Sequence, residues 1–240
     1  MGCEAKGFYN TSACRRSDGV TLIETVIAVV LFSFIIMAIY AIDRSAKNTY
    51  DVGTGQQDMQ RISSRLLNQI SSAFIQGRMT FANESSLTLQ VPVDHDDDDD
   101  VLDDNYMIEW GAVDKDGVVQ RGYSVSYAFV PAASGKTYSE SALDIDFNED
   151  GDKSDTFALG AIHKQWLDVS GTMAGSSPIS TDKVLFEAGS PIFARIDDTG
   201  TADAAGKNIR IFFIVVFEDR RNNVYHRAVR TTAAPRNPIE

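Results

Sequence analysis

Cysteine is nearly absent from this chain. Cys3 and Cys14 are the only two in 240 residues, and both stand within the first fourteen. Beyond them no disulfide and no thiolate metal site can form, whatever the redox compartment. No apolar region precedes Cys3, so the pattern is not that of a lipoprotein signal. Histidine is equally sparse. His95, His163 and His226 are scattered, the last two in strand-like runs, and zinc-ligand spacing does not occur. A Gly-rich phosphate loop and a Gly-x-Ser-x-Gly elbow are missing too, so no catalytic constellation is legible. Positive charge is in short supply: 22 Lys and Arg stand against 34 Asp and Glu, for a net charge of −12. A broad basic face for nucleic acid is excluded by that balance, and no nucleic-acid partner is expected.

What the chain does have is one long apolar run. From Val20 to Ile42 there are 23 residues, of which Glu24 alone is charged, and Asp43 and Arg44 close the stretch. At about 1.5 Å per residue a helix of this length reaches roughly 35 Å, enough to cross a hydrocarbon core of about 30 Å. A secretory signal would have an apolar core of only about 7–15 residues and a small-residue cleavage pattern after it, and neither fits. The run therefore predicts a span of a lipid bilayer. Lys6, Arg15 and Arg16 precede it, against Glu4 and Asp18. Arg44 and Lys47 follow in the company of Asp43 and Asp51. The positive-inside rule then places the N-terminus in the cytoplasm.

At the mouth of the run stands Gly19-Val20-Thr21-Leu22-Ile23-Glu24. This hexapeptide resembles the processing site of type IV prepilins and type II secretion pseudopilins, with Val20 in place of the common Phe. The resemblance is specific over about residues 15–42 and architectural beyond them. It implies cleavage by prepilin peptidase between Gly19 and Val20, and N-methylation of Val20. It implies assembly through Thr21, Leu22, Ile23 and Glu24, with the Glu24 carboxylate meeting the Val20 amine of a neighbouring subunit. Such a pair is physically sensible, since a carboxylate inside a membrane segment costs about 2.5–3.5 kcal/mol at the helix centre and a cation relieves that cost. The implied partners are prepilin peptidase, other pilin or pseudopilin subunits and an inner-membrane assembly platform. The implied location is the inner membrane first and a periplasmic or cell-surface filament later. The leader, residues 1–19, carries a net +1, so the remaining 221 residues carry −13 and no cysteine. That length, and Ser33 and Ala41 where many major pilins carry glycine and proline, favour a minor pilin or minor pseudopilin. The rival reading is a single-pass, membrane-anchored, calcium-binding adhesin or sensor that does not polymerise. A tethered envelope enzyme is a third reading, disfavoured by the missing constellation.

Helical character continues to residue 52, and Gly53-Thr54-Gly55 is expected to interrupt it. Over 56–76 Met59, Ile62, Leu66, Leu67, Ile70 and Phe74 recur at three- and four-residue spacing. They predict an amphipathic helix whose polar face carries Gln57, Asp58, Arg61, Arg65 and Gln69. Gln76-Gly77 reads as its end. Residues 78–240 then read as a β-rich domain, with strands at Ser86–Val91, Tyr106–Ala112, Val118–Val130, Asn208–Phe217 and Asn223–Arg230 and a hairpin at Asp116-Gly117. The run 209–217 is apolar at nearly every position, so both of its faces are expected to be covered. The predicted class is α+β and pilin-like: a long N-terminal helix packed on an antiparallel sheet.

Two acidic loops interrupt the strands. Residues 94–104 hold eight aspartates in eleven positions, a self-repelling, solvated segment. Residues 144–155 contain Asp146-Phe147-Asn148-Glu149-Asp150-Gly151-Asp152-Lys153-Ser154-Asp155, which opens with the Asp-x-Asn-x-Asp-Gly pattern of EF-hand-like calcium loops. Alternate oxygens can converge on one cation, and the glycine permits the turn. Asp146, Asn148, Asp150, Asp152 and Asp155 are the candidate Ca2+ ligands. Phe157 stands at the twelfth place, where an acidic ligand normally closes the shell, and Asp155 is the substitute. No apolar helix that would complete an EF-hand pair runs into Asp146, and a polar turn accounts for the same residues. No cofactor is required by anything in the chain.

Overall fold

The computed structural model describes residues 21–96, 98 and 100–235. Two compact units emerge, Met1–Tyr50 and Asp51–Glu240. The first helix, α1, spans Leu22–Gln76, 55 residues. In the first unit its apolar side chains are exposed all round, and none of the apolar stretch is buried. A helix that is apolar on every face and covers no core of its own has the length and composition of a membrane span.

The expected break at Gly53-Thr54-Gly55 does not occur, because α1 runs straight through it. The second glycine is there for packing. A Cβ on Gly55 would stand 2.3 Å from the Phe217 ring, while one on Gly53 would meet nothing within 4 Å. Gly77, just past the last helical residue, donates its N–H to the Ala73 carbonyl at 2.9 Å and ends α1 as expected.

Within the second unit, Met59, Ser63, Leu66, Ile70 and Phe74 form the buried stripe of α1. The β-strands that follow are β1 (Arg78–Ala82), β2 (Ser86–Pro92), β3 (Trp110–Val113), β4 (Val119–Arg121), β5 (Ser124–Pro131) and β6 (Thr137–Ser139). A short helix, α2 (Glu140–Leu143), comes next. It leads to β7 (Thr156–Leu167), β8 (Met173–Pro178), β9 (Val184–Phe186), β10 (Phe193–Ile196), β11 (Asn208–Glu218) and β12 (Val224–Ala233). Pairing is antiparallel throughout, and the main path of the sheet runs β10-β11-β9-β7-β5-β2-β3-β4. The class is α+β.

Two strand expectations need correction. Val118–Val130 is two strands, not one, because Gly122 adopts φ +78° and breaks the run between β4 and β5. The strand expected from Tyr106 begins only at Trp110, since Tyr106 has φ 60° and sits in a turn. The Asp116-Gly117 hairpin joins β3 to β4, with Gly117 at φ +85°.

The β11 strand divides the core. Ile209, Ile211, Phe213 and Val215 join the α1 stripe with Leu87, Leu89, Ile162 and Trp166. On the opposite face Phe212, Ile214 and Val216 pack with Tyr138, Phe147, Phe157 and Leu185. Both faces are covered, as period-2 alternation of a wholly apolar strand requires. Phe147 belongs to the acidic loop. Its ring meets Phe157 edge-on at 5.7 Å and His226 at 5.3 Å, so the loop is pinned to the second core by its own apolar residue.

Candidate functional sites

Thr21 and Glu24 close the start of α1 on themselves. The Thr21 N–H and Oγ1 both donate to Glu24 Oε2, at 2.8 and 2.9 Å, and the Glu24 N–H donates back to Thr21 Oγ1 at 3.3 Å. This reciprocal arrangement is a capping box, which satisfies backbone donors that have no partner inside the helix. The Thr-x-x-Glu spacing signals it in the sequence. Leu22 and Ile23 are exposed beside it. Gly19 and Val20 lie outside the described residues, as do Cys3 and Cys14.

The acidic loop between α2 and β7 is ordered by carboxylate-to-backbone bonds. Asp146 accepts the N–H groups of Glu149 at 2.6 Å and Gly151 at 3.0 Å. Asp150 accepts from the Asp152 N–H at 2.9 Å, and Asp152 from the Ser154 N–H at 2.8 Å. The Ser154 bonds hold the Asp152 carboxyl below the ordinary aspartate value. Glu149 and Gly151 both take left-handed backbone, φ 61° and 97°. The Asn148 amide, nearly buried, donates to Asp150 at 3.0 Å and Asp155 at 2.9 Å, holding two carboxylates apart and together at once.

Of the five candidate ligands, Asp152 and Asp155 converge, and they do so on Glu140. One carboxylate oxygen from each of the three lies within 4.8 Å of the others. Asp146 is not one of this group. Phe157, at the twelfth place, is 1% exposed and fills the second core. Strand pairing explains the convergence. The β6–β7 ladder matches Ser139 with Thr156, so Glu140 and Asp155, the next residues outward, face each other, and the Glu140 N–H donates to the Asp155 carbonyl at 3.0 Å. Ala158 pairs with Thr137 on one edge of β7 and with Phe186 on the other. Glu187 therefore arrives from the opposite side of Asp155. Burial pushes the Glu187 carboxyl up to about 7, and the Asp155 charge and hydrogen bond reinforce the shift. A cavity of about 430 Å³ opens beside them, lined by Asn148, Asp150, Asp155, Glu187, Arg210 and Arg230 among others. Glu140 and Glu187 were invisible to the loop pattern because long-range ladders deliver them.

The second acidic loop behaves differently. Asp94, Asp96 and Asp98 also bring carboxylate oxygens within 4.8 Å of one another, but on the surface. Glu109, 2% exposed, anchors the loop by accepting the His95 backbone N–H at 2.9 Å, and it pairs with Arg121 at 3.2 Å. The backbone of His95, not its ring, makes that contact.

A fold of this kind defines a class: a β-rich domain carrying an unpartnered apolar helix at its N-terminal end. Residues 14–40 match the prokaryotic N-terminal methylation motif, an N-terminus similar to that of type IV pilin and pseudopilin prepilins. No curated protein and no solved structure matches the chain.

Proposed function

We propose that this protein is a minor pilin or minor pseudopilin, a structural subunit of a type IV pilus or a type II secretion pseudopilus. The methylation motif at residues 14–40 carries the proposal. The exposed apolar helix that begins within it supports the same reading. In this account the precursor is anchored in the inner membrane with its N-terminus in the cytoplasm. Prepilin peptidase cuts between Gly19 and Val20, Val20 is methylated, and the chain joins other pilin-type subunits at an assembly platform. Moving the helix from lipid into a bundle exchanges one apolar setting for another, so burial contributes little. Side-chain packing and the attraction between Glu24 and a neighbour's Val20 amine choose the register. The Thr21–Glu24 capping box holds that carboxylate at the first turn of the helix. The role is architectural, and no step of it asks the chain for catalysis.

The test compares wild-type protein with Glu24→Ala in cells that supply the peptidase and the assembly machinery. Both chains are expected to be processed, and only the wild type should enter the sheared filament or pseudopilus fraction in quantity. Equal incorporation of the two would overturn the role of Glu24. Wild-type protein that stays wholly in the membrane fraction would instead support the non-polymerising, membrane-anchored adhesin or sensor.

A further inference from the structure

Glu140 is wholly buried, at 0% exposure, yet its Oε2 has no hydrogen-bond partner among the described residues. The other oxygen, Oε1, accepts the Phe147 N–H at 2.5 Å. A carboxylate taken out of water with one of its oxygens unanswered is costly, and proteins satisfy such groups with a countercharge. The protein does not supply that charge directly. Lys153 is spent on Asp144, bonding its carboxylate at 2.8 Å and its carbonyl at 3.2 Å. Arg230 lies over the Phe212 ring, 5.1 Å from its centre, and among the described residues neither it nor Arg210 forms an ion pair with the three carboxylates. What faces Glu140 is further negative charge, from Asp152 and Asp155.

We propose that Glu140, Asp152 and Asp155 bind a calcium ion, with Asn148 and Asp150 on the adjoining wall. The donors are all hard oxygens, which suit calcium or magnesium and not a thiolate- or imidazole-seeking metal. Coordination geometry then favours calcium. The three carboxylate oxygens all lie within 4.8 Å of one another, and calcium accepts 6–8 oxygens in an irregular shell at about 2.3–2.6 Å, whereas magnesium demands a near-ideal octahedron at about 2.0–2.1 Å. The cavity lined by Asn148, Asp150 and Asp155 leaves room for the waters that complete a shell of 6–8 oxygens. Bound there, the ion ties the ends of β6 and β7 to the loop that Phe147 pins to the second core. The site stands independently of the filament role, since it rests on the β-domain alone.

The test uses the full chain in detergent micelles, stripped with chelator, and follows thermal unfolding and titration heat on adding calcium chloride. Wild-type protein should bind, and Tm should rise by about 5 °C or more at roughly a hundredfold excess over the dissociation constant. Asp155→Asn should abolish both responses. Glu140→Gln keeps an acceptor for the Phe147 N–H but removes the buried charge. It should melt at or above the wild-type temperature without calcium and gain nothing from adding it. That inversion separates a ligand from a residue that merely holds the loop. The proposal is overturned if calcium gives wild-type protein neither heat nor a shift, or if magnesium chloride acts equally well. It is also overturned if the response survives in Glu140→Gln and disappears in Asp96→Asn/Asp98→Asn, which would assign calcium to the exposed loop.

Discussion

Gly53 and Gly55 show how one residue type serves opposite ends within three positions. Both sit in the interior of a helix, where glycine costs about 0.5–1 kcal/mol relative to alanine. At Gly53 a side chain meets open space, so Gly53→Ala should stabilise the protein by about that amount in denaturant titration. At Gly55 the Phe217 ring occupies the space, and Gly55→Ala should destabilise it by about 1–3 kcal/mol as the core is overfilled. Equal effects at the two positions would refute this division. Glu218 offers a second test at the same scale. It pairs with Lys136 and accepts the Tyr138 hydroxyl at 3.1 Å. The Lys136 bond, more than any other cause, holds the Glu218 carboxyl below its ordinary value of 4.5. A depressed carboxyl stabilises the fold fully above that ordinary value and loses its contribution as pH falls through the lower folded one. Glu218→Gln should therefore flatten the acid limb of Tm against pH, leaving the shape of the curve near neutrality as it is.

Elements differ in how openly the sequence declares them. The apolar run and the three- and four-residue spacing that ends at Phe74 announce α1, and the apolar stretch 209–217 announces β11. The break at 53–55 was misread because glycine signals both flexibility and close approach, and only the distant Phe217 says which applies. The β7 strand shows in the sequence only as a strand-like run around His163, without bounds. Its sequence, Thr156–Leu167, mixes His163, Lys164 and Gln165 among apolar residues. Its place near the middle of the sheet follows from partners far along the chain, β5 at 124–131 and β9 at 184–186. Glu140 and Glu187 escaped for the same reason, whereas Asp152 and Asp155 were legible from the loop pattern. At the element scale Phe147 is what anchors the acidic loop. It is fully buried, and Phe147→Ala should cost about 3–5 kcal/mol in denaturant titration. It should also raise hydrogen exchange at the Glu149 and Gly151 amides. Unchanged protection there would mean that the carboxylate-capped turn orders itself without its apolar anchor.

At the scale of the molecule, charge and apolarity are segregated. Every described residue from 21 to 47 is exposed in a helix with little charge, while the acidic groups gather on the loops of the β-domain. A helix so apolar needs an environment other than water, and a bilayer or a bundle of like helices supplies it. The methylation motif at 14–40 connects that need to processing and assembly. Mass spectrometry of the N-terminus, on protein recovered from cells that contain prepilin peptidase, tests this most directly. The account predicts a chain that begins at Val20 and carries one added methyl group on its amine. A chain that retains residues 1–19 would contradict it.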